Sequence, residues 1–321
     1  TYTGNTVINN GNLMIGNGGT TGNAGAGNVI VDSPTSTLSL NRSDTFTFNG
    51  TLSGPGTLAQ TGSGTSVLTS ANNSIGATTI GNGTLEVDGG LQTPAIGMTG
   101  TSALTVDGTV QAAGLSQTAI TGDGGDQTVT VRSGGTLLAN GDLGGGNDTV
   151  DLTGTLDTGV GALGLGEGDD TLALRDGAQM SGGGVNASGG GGTDTLVVDT
   201  ALGFVLDGGD IDTFDVLTKQ NTGTLTLTGN HTYGAGTNLE GGTLDVDGIL
   251  DTPSLAMAND TTLNVDGGVE GTGGTPATIT GSAGVQSIIV NSNGGLAANG
   301  ALGDGAGTVT LSGSRTTTLT G

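Results

Sequence analysis

Three aspartates recur with a spacing that could build a cation site. Asp148, Asp170 and Asp194 lie in Gly146-Asn147-Asp148-Thr149-Val150, Gly168-Asp169-Asp170-Thr171-Leu172 and Gly192-Thr193-Asp194-Thr195-Leu196, at nearly equal intervals. Each segment satisfies most of the Gly-x-Asp-x-aliphatic pattern found in calcium-binding nonapeptide rolls. With one such Asp per coil, the three stack in a column at one corner, and their oxygens could hold a hard cation. The same column could instead cap the amides of its turns and face water. That structural reading is preferred here, and calcium at Asp148, Asp170 and Asp194 stays an open question.

Other chemistry is thinly supplied. His231 is the single histidine, so a triad or a His-rich metal site lacks partners. A solvent-facing position is expected for it. A carboxylate pair acting on polysaccharide is the harder alternative to dismiss. Lyase chemistry wants a base near the acids, yet Lys219, Arg42, Arg132, Arg175 and Arg315 are isolated in sequence. Sugar sites also stack on aromatic rings, and the chain offers only Tyr2, Tyr233 and 4 Phe. Phe46 and Phe48 alternate on one strand face and read as core. Gly182-Gly183-Gly184 is turn material without a following helix. No catalytic, cofactor-binding or metal residue is assigned, no cofactor is expected, and the chain is read as a non-enzyme.

The elements that would position these groups follow from composition. Of 321 residues 70 are Gly, while aromatic residues make 2% and charged residues 11%, too few for an ordinary globular enzyme. The Gly has no triplet period and Pro is scarce, which excludes collagen. Hydrophobic residues at 32%, in short ordered patterns, argue against disorder. With 29 acidic and 5 basic residues the net charge is −24, a surface that repels nucleic acid and anionic lipid. No apolar stretch approaches a membrane span, so no direct insertion of this segment is expected. The first residue is not Met, no signal sequence opens the chain, and there is no Cys. The sequence reads as a stretch of a longer exported protein.

The recurring unit is apolar–x–apolar followed by Gly, Asp or Asn, as in Leu85-Glu86-Val87-Asp88-Gly89, Leu104-Thr105-Val106-Asp107-Gly108 and Leu263-Asn264-Val265-Asp266-Gly267. Alternation over such short runs predicts half-buried strands, and the punctuation predicts turns. From Leu85 the unit recurs at Leu104, Val129, Val150, Leu172 and Leu196. A period near 20 predicts an all-β, right-handed parallel β-helix of about 14–15 rungs, one body over residues 1–321. Each rung turns about three times, often through positive φ, which accounts for the glycine. Residues 81–154 align without a gap to 240–313 at a constant offset of 159. Thr84-Leu85, Val87-Asp88-Gly89 and Thr93-Pro94 recur as Thr243-Leu244, Val246-Asp247-Gly248 and Thr252-Pro253. Such a copy lengthens a solenoid and makes a unique active site less expected.

Three segments resemble the passenger-associated repeat of bacterial autotransporters, Leu-Thr-Gly-x-Asn-Thr-Tyr-x-Gly followed by Thr-x-Ile and Gly-x-Leu. The clearest is Leu227-Thr228-Gly229-Asn230-His231-Thr232-Tyr233-Gly234, continuing through Thr237, Leu239 and Gly241-Gly242-Thr243-Leu244. The chain opens with Thr1-Tyr2-Thr3-Gly4, and a third copy runs Leu68-Thr69-Ser70-Ala71-Asn72-Asn73-Ser74 to Gly83-Thr84-Leu85, with Ser74 in place of Tyr. Gly189-Gly190-Gly191-Gly192-Thr193-Asp194-Thr195-Leu196, followed by Gly208-Gly209-Asp210-Ile211-Asp212-Thr213-Phe214, resembles another recurrent passenger pattern. The resemblance implies export through the outer membrane by a C-terminal β-barrel, which this chain lacks, and display at the cell surface. It also implies adhesion, autoaggregation or biofilm formation, through self-association or a host or matrix glycan or protein. A passive stalk is the alternative, and a polysaccharide-active enzyme the remoter one.

Overall fold

A computed structural model describes residues 3–184, 186–303, 305–312 and 318–320. It is an all-β parallel β-solenoid of about 14 turns, and the described residues contain no α-helix. The chain divides into two compact units, Thr1–Gly168 with Gly177–Asn186, and Asp169–Asp176 with Ala187–Gly321. Each is a parallel solenoid with its own aliphatic interior.

In the first unit Leu85, Leu104, Val129 and Val150 lie in register on successive parallel strands. In the second, Leu172 pairs with Leu196. These are the pairings anticipated from the alternation. Further along the second unit, Leu244, Leu263, Ile288 and Val309 lie in register in the same way. They repeat the spacing of Leu85, Leu104, Val129 and Val150 without change. The two copies of the duplication, one in each unit, therefore wind with the same coil lengths. Leu85, Val87, Leu104, Val106, Val129 and Val131 are fully buried. Burial of such a side chain stabilises by roughly 1.5–3 kcal/mol relative to exposure. The intervening Thr65, Thr84, Thr128 and Thr149 remain half-buried on the outer face.

Strands end where the sequence supplies Asp-Gly, and the backbone shows why. The amides of Asp107 and Gly108 both donate to the carbonyl of Val87, one coil earlier, at 3.0 and 2.8 Å. Asp266 and Gly267 do the same to Val246 at 3.0 and 2.8 Å. A Cβ at position 108 would overlap the carbonyl oxygen of Gly89, and one at 267 that of Gly248. Neither glycine has positive φ. Here the requirement for glycine is the close stacking of turn on turn, not the backbone freedom that the sequence suggested; elsewhere many glycines do take positive φ.

The duplication also exposes one strained position. Ala112 and Ser116 close a small loop by an antiparallel bridge, as do Gly271 and Thr275, their counterparts in the second copy. Within those loops Gly274 has φ 75°, whereas its counterpart Leu115 has φ 61° with its side chain 72% exposed. A left-handed conformation is unfavourable for any residue carrying a Cβ.

Two substitutions test this account in opposite directions. Gly108→Ala is expected to lower stability toward the upper end of the roughly 1–3 kcal/mol of overpacking, read as a lower denaturant midpoint. Leu115→Gly is expected to raise or hold the midpoint, because strain relief of about 1 kcal/mol offsets the extra freedom of the unfolded chain.

Candidate functional site

The three corner aspartates are buried, with Asp148, Asp170 and Asp194 at 1%, 1% and 0% exposure. In the first unit the Gln127 amide donates to Asp148 Oδ1 at 2.5 Å, and the Asn147 amide to Asp126 Oδ1 at 2.8 Å. In the second, the Asp170 amide donates to Asp194 Oδ1 at 2.9 Å. The Asp194 amide donates in turn to Asp215 Oδ2 at 3.0 Å. Asp148, Asp194 and Asp215 each take the amide of a turn one coil earlier, a capping role. The caps at Asp148 and Asp194 lie inside the coil instead of facing water.

Carboxylates converge elsewhere, on the outer surface of the Val-Asp-Gly turns. Glu86, Asp88 and Asp107 bring one oxygen each within 4.8 Å of one another, and so do Asp245, Asp247 and Asp266. The second set is the first, carried over by the duplication. The signal for both lay in the short step between successive Leu-x-Val-Asp-Gly units, which stacks the turns. What fills them differs. Arg132 Nη1 bridges Glu86 Oε1 and Asp107 Oδ2, each at 2.8 Å. At the matching position of the second set stands Asn291, whose Nδ2 donates to Asp266 Oδ2 at 2.9 Å and to Asn264 Oδ1 at 3.0 Å. Asn264 Nδ2 donates to Asp245 Oδ1 at 2.7 Å. Burial pushes the Asp245 carboxyl up; the Asn264 hydrogen bond opposes this, and the charges of Asp247 and Asp266 add to it.

Two polar groups are buried where sequence reasoning did not place them. His231, expected to face solvent, is 3% exposed, because the middle residue of the strand Asn230–Thr232 points inward. Its Nε2 donates to the carbonyls of Thr228 at 2.9 Å and Leu206 at 3.3 Å. Lys219, read only as an isolated base, is fully enclosed. Its Nζ donates to the carbonyls of Gln220, Asn221 and Gly241 at 2.5, 3.0 and 3.3 Å. Burial pulls both pKa values down.

The remaining candidates are placed plainly. Phe46 and Phe48 are buried in the core, with the Arg42 guanidinium 5.2 Å over the Phe46 ring. Arg42 pairs with Asp44 at 2.7 Å and Arg175 with Asp199 at 2.8 Å. Tyr233 is buried, and Thr1, Tyr2 and Arg315 lie outside the described residues. Two shallow open grooves, one on each copy, overlap only in part, at Gly90 and Ile249, Thr109 and Gly268, and Gln111 and Glu270. One is lined by Ser74, Gln92 and Gln111, the other by Ile249, Gly268 and Glu270. No helix among the described residues is long and apolar enough to cross a membrane.

Against known proteins, the passenger-associated-transport-repeat family model matches residues 58–87 and 217–246. The two matches keep the offset of the duplication and lie one in each unit. No curated protein and no solved structure matches the chain. The two repeats on a parallel β-solenoid are the features of an autotransporter passenger domain.

The capping role predicts a specific hierarchy. Asp194→Ala strands the buried Asp170 amide and is expected to lower stability by about 1–3 kcal/mol, whereas Asp194→Asn keeps an acceptor oxygen and loses less. Thermal or denaturant midpoints of the two variants measure it; equal losses would exclude the cap. Arg132→Gln leaves Glu86, Asp88 and Asp107 without their cation. A loss of up to about 1 kcal/mol is expected, larger at low salt than at high salt.

Proposed function

We propose that this chain is part of an exported, surface-displayed passenger that works without catalysis, by adhesion and self-association through repetitive polar faces of its solenoid. The passenger repeats support export and display. In that reading the full-length protein carries an outer-membrane barrel beyond this chain, and residues 1–321 act as one β-helix lengthened by duplication of 81–154 as 240–313.

One observation carries the adhesive reading: the outer face is laid out as ladders of hydroxyls in register. In the first unit Thr65, Thr84, Ala103, Thr128 and Thr149 occupy one row across successive strands. In the second, Thr224, Thr243, Thr262, Ser287 and Thr308 form a similar row. A single hydrogen bond made there contributes only about 0.5–1.5 kcal/mol. Repetition along the solenoid converts many such contacts into avidity of about 10²–10⁴-fold. A second copy of the chain offers the complementary row, and a host or matrix glycan or protein offers comparable hydroxyls and amides.

Cells displaying the full passenger are expected to clump, and Thr84→Glu with Thr128→Glu is expected to weaken clumping while leaving thermal stability nearly unchanged. Deleting one copy of the duplicated stretch separates adhesion from a passive stalk: adhesion along the length weakens, whereas a stalk tolerates the loss. Cells that never clump, and purified protein that stays monomeric at high concentration, would refute self-recognition.

A further inference from the structure

The two family-matched segments build the same turn with different chemistry. In the first, Asn73 lies in register with Leu91; in the second, His231 lies in register with Leu250, the counterpart of Leu91. Asn73 is fully buried and donates from Nδ2 to the carbonyl of Ser70, three positions earlier, at 2.8 Å. A second bond runs from Nδ2 to the Gly90 carbonyl at 2.9 Å, and Oδ1 accepts from the Leu52 amide at 2.9 Å. His231 closes its turn likewise, onto Thr228 three positions earlier and onto Leu206. Where the first repeat uses an amide that never titrates, the second uses an imidazole.

The surroundings commit that imidazole to one protonation state. With Nε2 donating to two carbonyls, the neutral ring presents Nδ1 as an acceptor. The Tyr233 hydroxyl lies 3.4 Å from Nδ1, and the two rings stack with centroids 6.2 Å apart. Tyr233 is itself buried, and burial pushes its phenol pKa up, so it stays a neutral donor. A proton added at Nδ1 meets the hydroxyl hydrogen head on, and the hydroxyl must turn away from its acceptor. Asp207 and Asp210 favour the charged ring by their field, and Asp251 sits on the strand Ile249–Asp251 paired with that of His231. Burial nevertheless prevails and pulls the imidazole below its ordinary value. Asp207 is also tied to the turn, its Oδ2 accepting from Thr228 Oγ1 at 3.0 Å.

We propose that His231 and Tyr233 form an acid-sensitive latch on the second passenger repeat: protonation of His231 opens the turn around residues 228–233, while the Asn73 turn of the first repeat stays closed. The sign follows from linkage. Above the unfolded-state value of about 6.5 neither state holds the proton, and the closed turn has its full stability. As pH falls below about 6.5 the open state takes the proton first, so opening becomes easier by up to about tenfold per pH unit. The effect levels off once the closed state is protonated as well. This goes beyond adhesion and holds whether or not the face around it binds anything.

His231 is the single histidine, so its ring signals in an NMR titration are unambiguous. The expected result is a midpoint below about 6.5; a midpoint at or above that value overturns the latch. Peptide-resolved hydrogen exchange, corrected for intrinsic rates, then compares residues 224–239 with 65–80 near pH 7.5 and near pH 5. Opening of the second segment is expected to rise at least severalfold at the lower pH and that of the first to stay level. His231→Asn, which installs the side chain that already serves at position 73, is expected to make both segments level. Equal acid response in the two segments, or an unchanged response in His231→Asn, overturns the proposal.

Discussion

Everything in this solenoid depends on each coil satisfying the backbone of the coil before it. A turn buried under another turn has no water for its amides and carbonyls, and an unpaired one costs about 1–3 kcal/mol. At the Val-Asp-Gly corners two amides share one carbonyl of the preceding coil, which brings turn onto turn so closely that only glycine fits at positions 108 and 267. At other corners the backbone falls short, and a side chain enters to complete the pairing. Asp148 and Asp194 supply acceptors for buried turn amides; Gln60, Asn73, Lys219 and His231 supply donors to turn carbonyls. These polar residues are structural because they close turns from within the coil, where water does not reach.

The duplication shows where that requirement is kept and where it is relaxed. Outward positions have drifted in chemistry: Thr105 corresponds to Asn264, and Arg132 to Asn291. Several inward polar positions keep their hydrogen-bonding sense through a change of residue, whereas buried Thr118 and Asp148 have Ala277 and Gly307 as counterparts and their side-chain bonds are not carried over. Gln60, whose Nε2 donates to the carbonyls of Gly62 and Gly64 at 2.8 and 3.1 Å, corresponds at the same offset to Lys219. Asn73 has its counterpart by register in His231. Even the buried hydroxyl pair Thr78–Thr93, at 3.2 Å, recurs as Thr237–Thr252 at 3.1 Å. Both changes in the second repeat replaced a neutral amide by an ionisable donor. A carbonyl needs a donor, and an ammonium or imidazole meets that need while adding a dependence on protonation that an amide lacks.

Much of the architecture was legible because it rests on alternation. Leu85, Leu104, Val129 and Val150 sit in register at the spacings read directly from the chain, and Phe46 and Phe48 fill the core as their spacing required. Alternation fails at corners, where the chain changes direction and the inside–outside pattern restarts. His231 lies in such a short corner strand, Asn230–Thr232, over which no period can declare an inner face. Lys219 was hidden by its type, since an ammonium is rarely enclosed unless several acceptors converge. The capping of turn amides by Asp148 and Asp194 was open to sequence reading, but its depth was not. Sequence told that one Asp falls on each coil and could not tell that the amide it caps lies inside.

In the self-association proposed above, charge decides which face can meet another copy. At −24 overall, two chains repel, and at physiological salt the repulsion fades only over about 8 Å. A contact made through neutral hydroxyls is therefore more favourable where neighbouring carboxylates are at least partly compensated. In the second unit the Thr243 and Thr262 row runs beside Asp245, Asp247 and Asp266, where Asn264 and Asn291 add hydrogen bonds but no positive charge. In the first unit the Thr84 and Thr128 row runs beside Glu86, Asp88 and Asp107, across which Arg132 lays its guanidinium. Under that proposal two first-unit faces would bring together hydroxyl rows beside three carboxylates bridged by one arginine, whereas two second-unit faces would confront three carboxylates with no cation among the described residues. The register of the hydroxyls is nearly the same in both copies, so in the proposed self-association the one arginine, not the threonines, would distinguish the two copies.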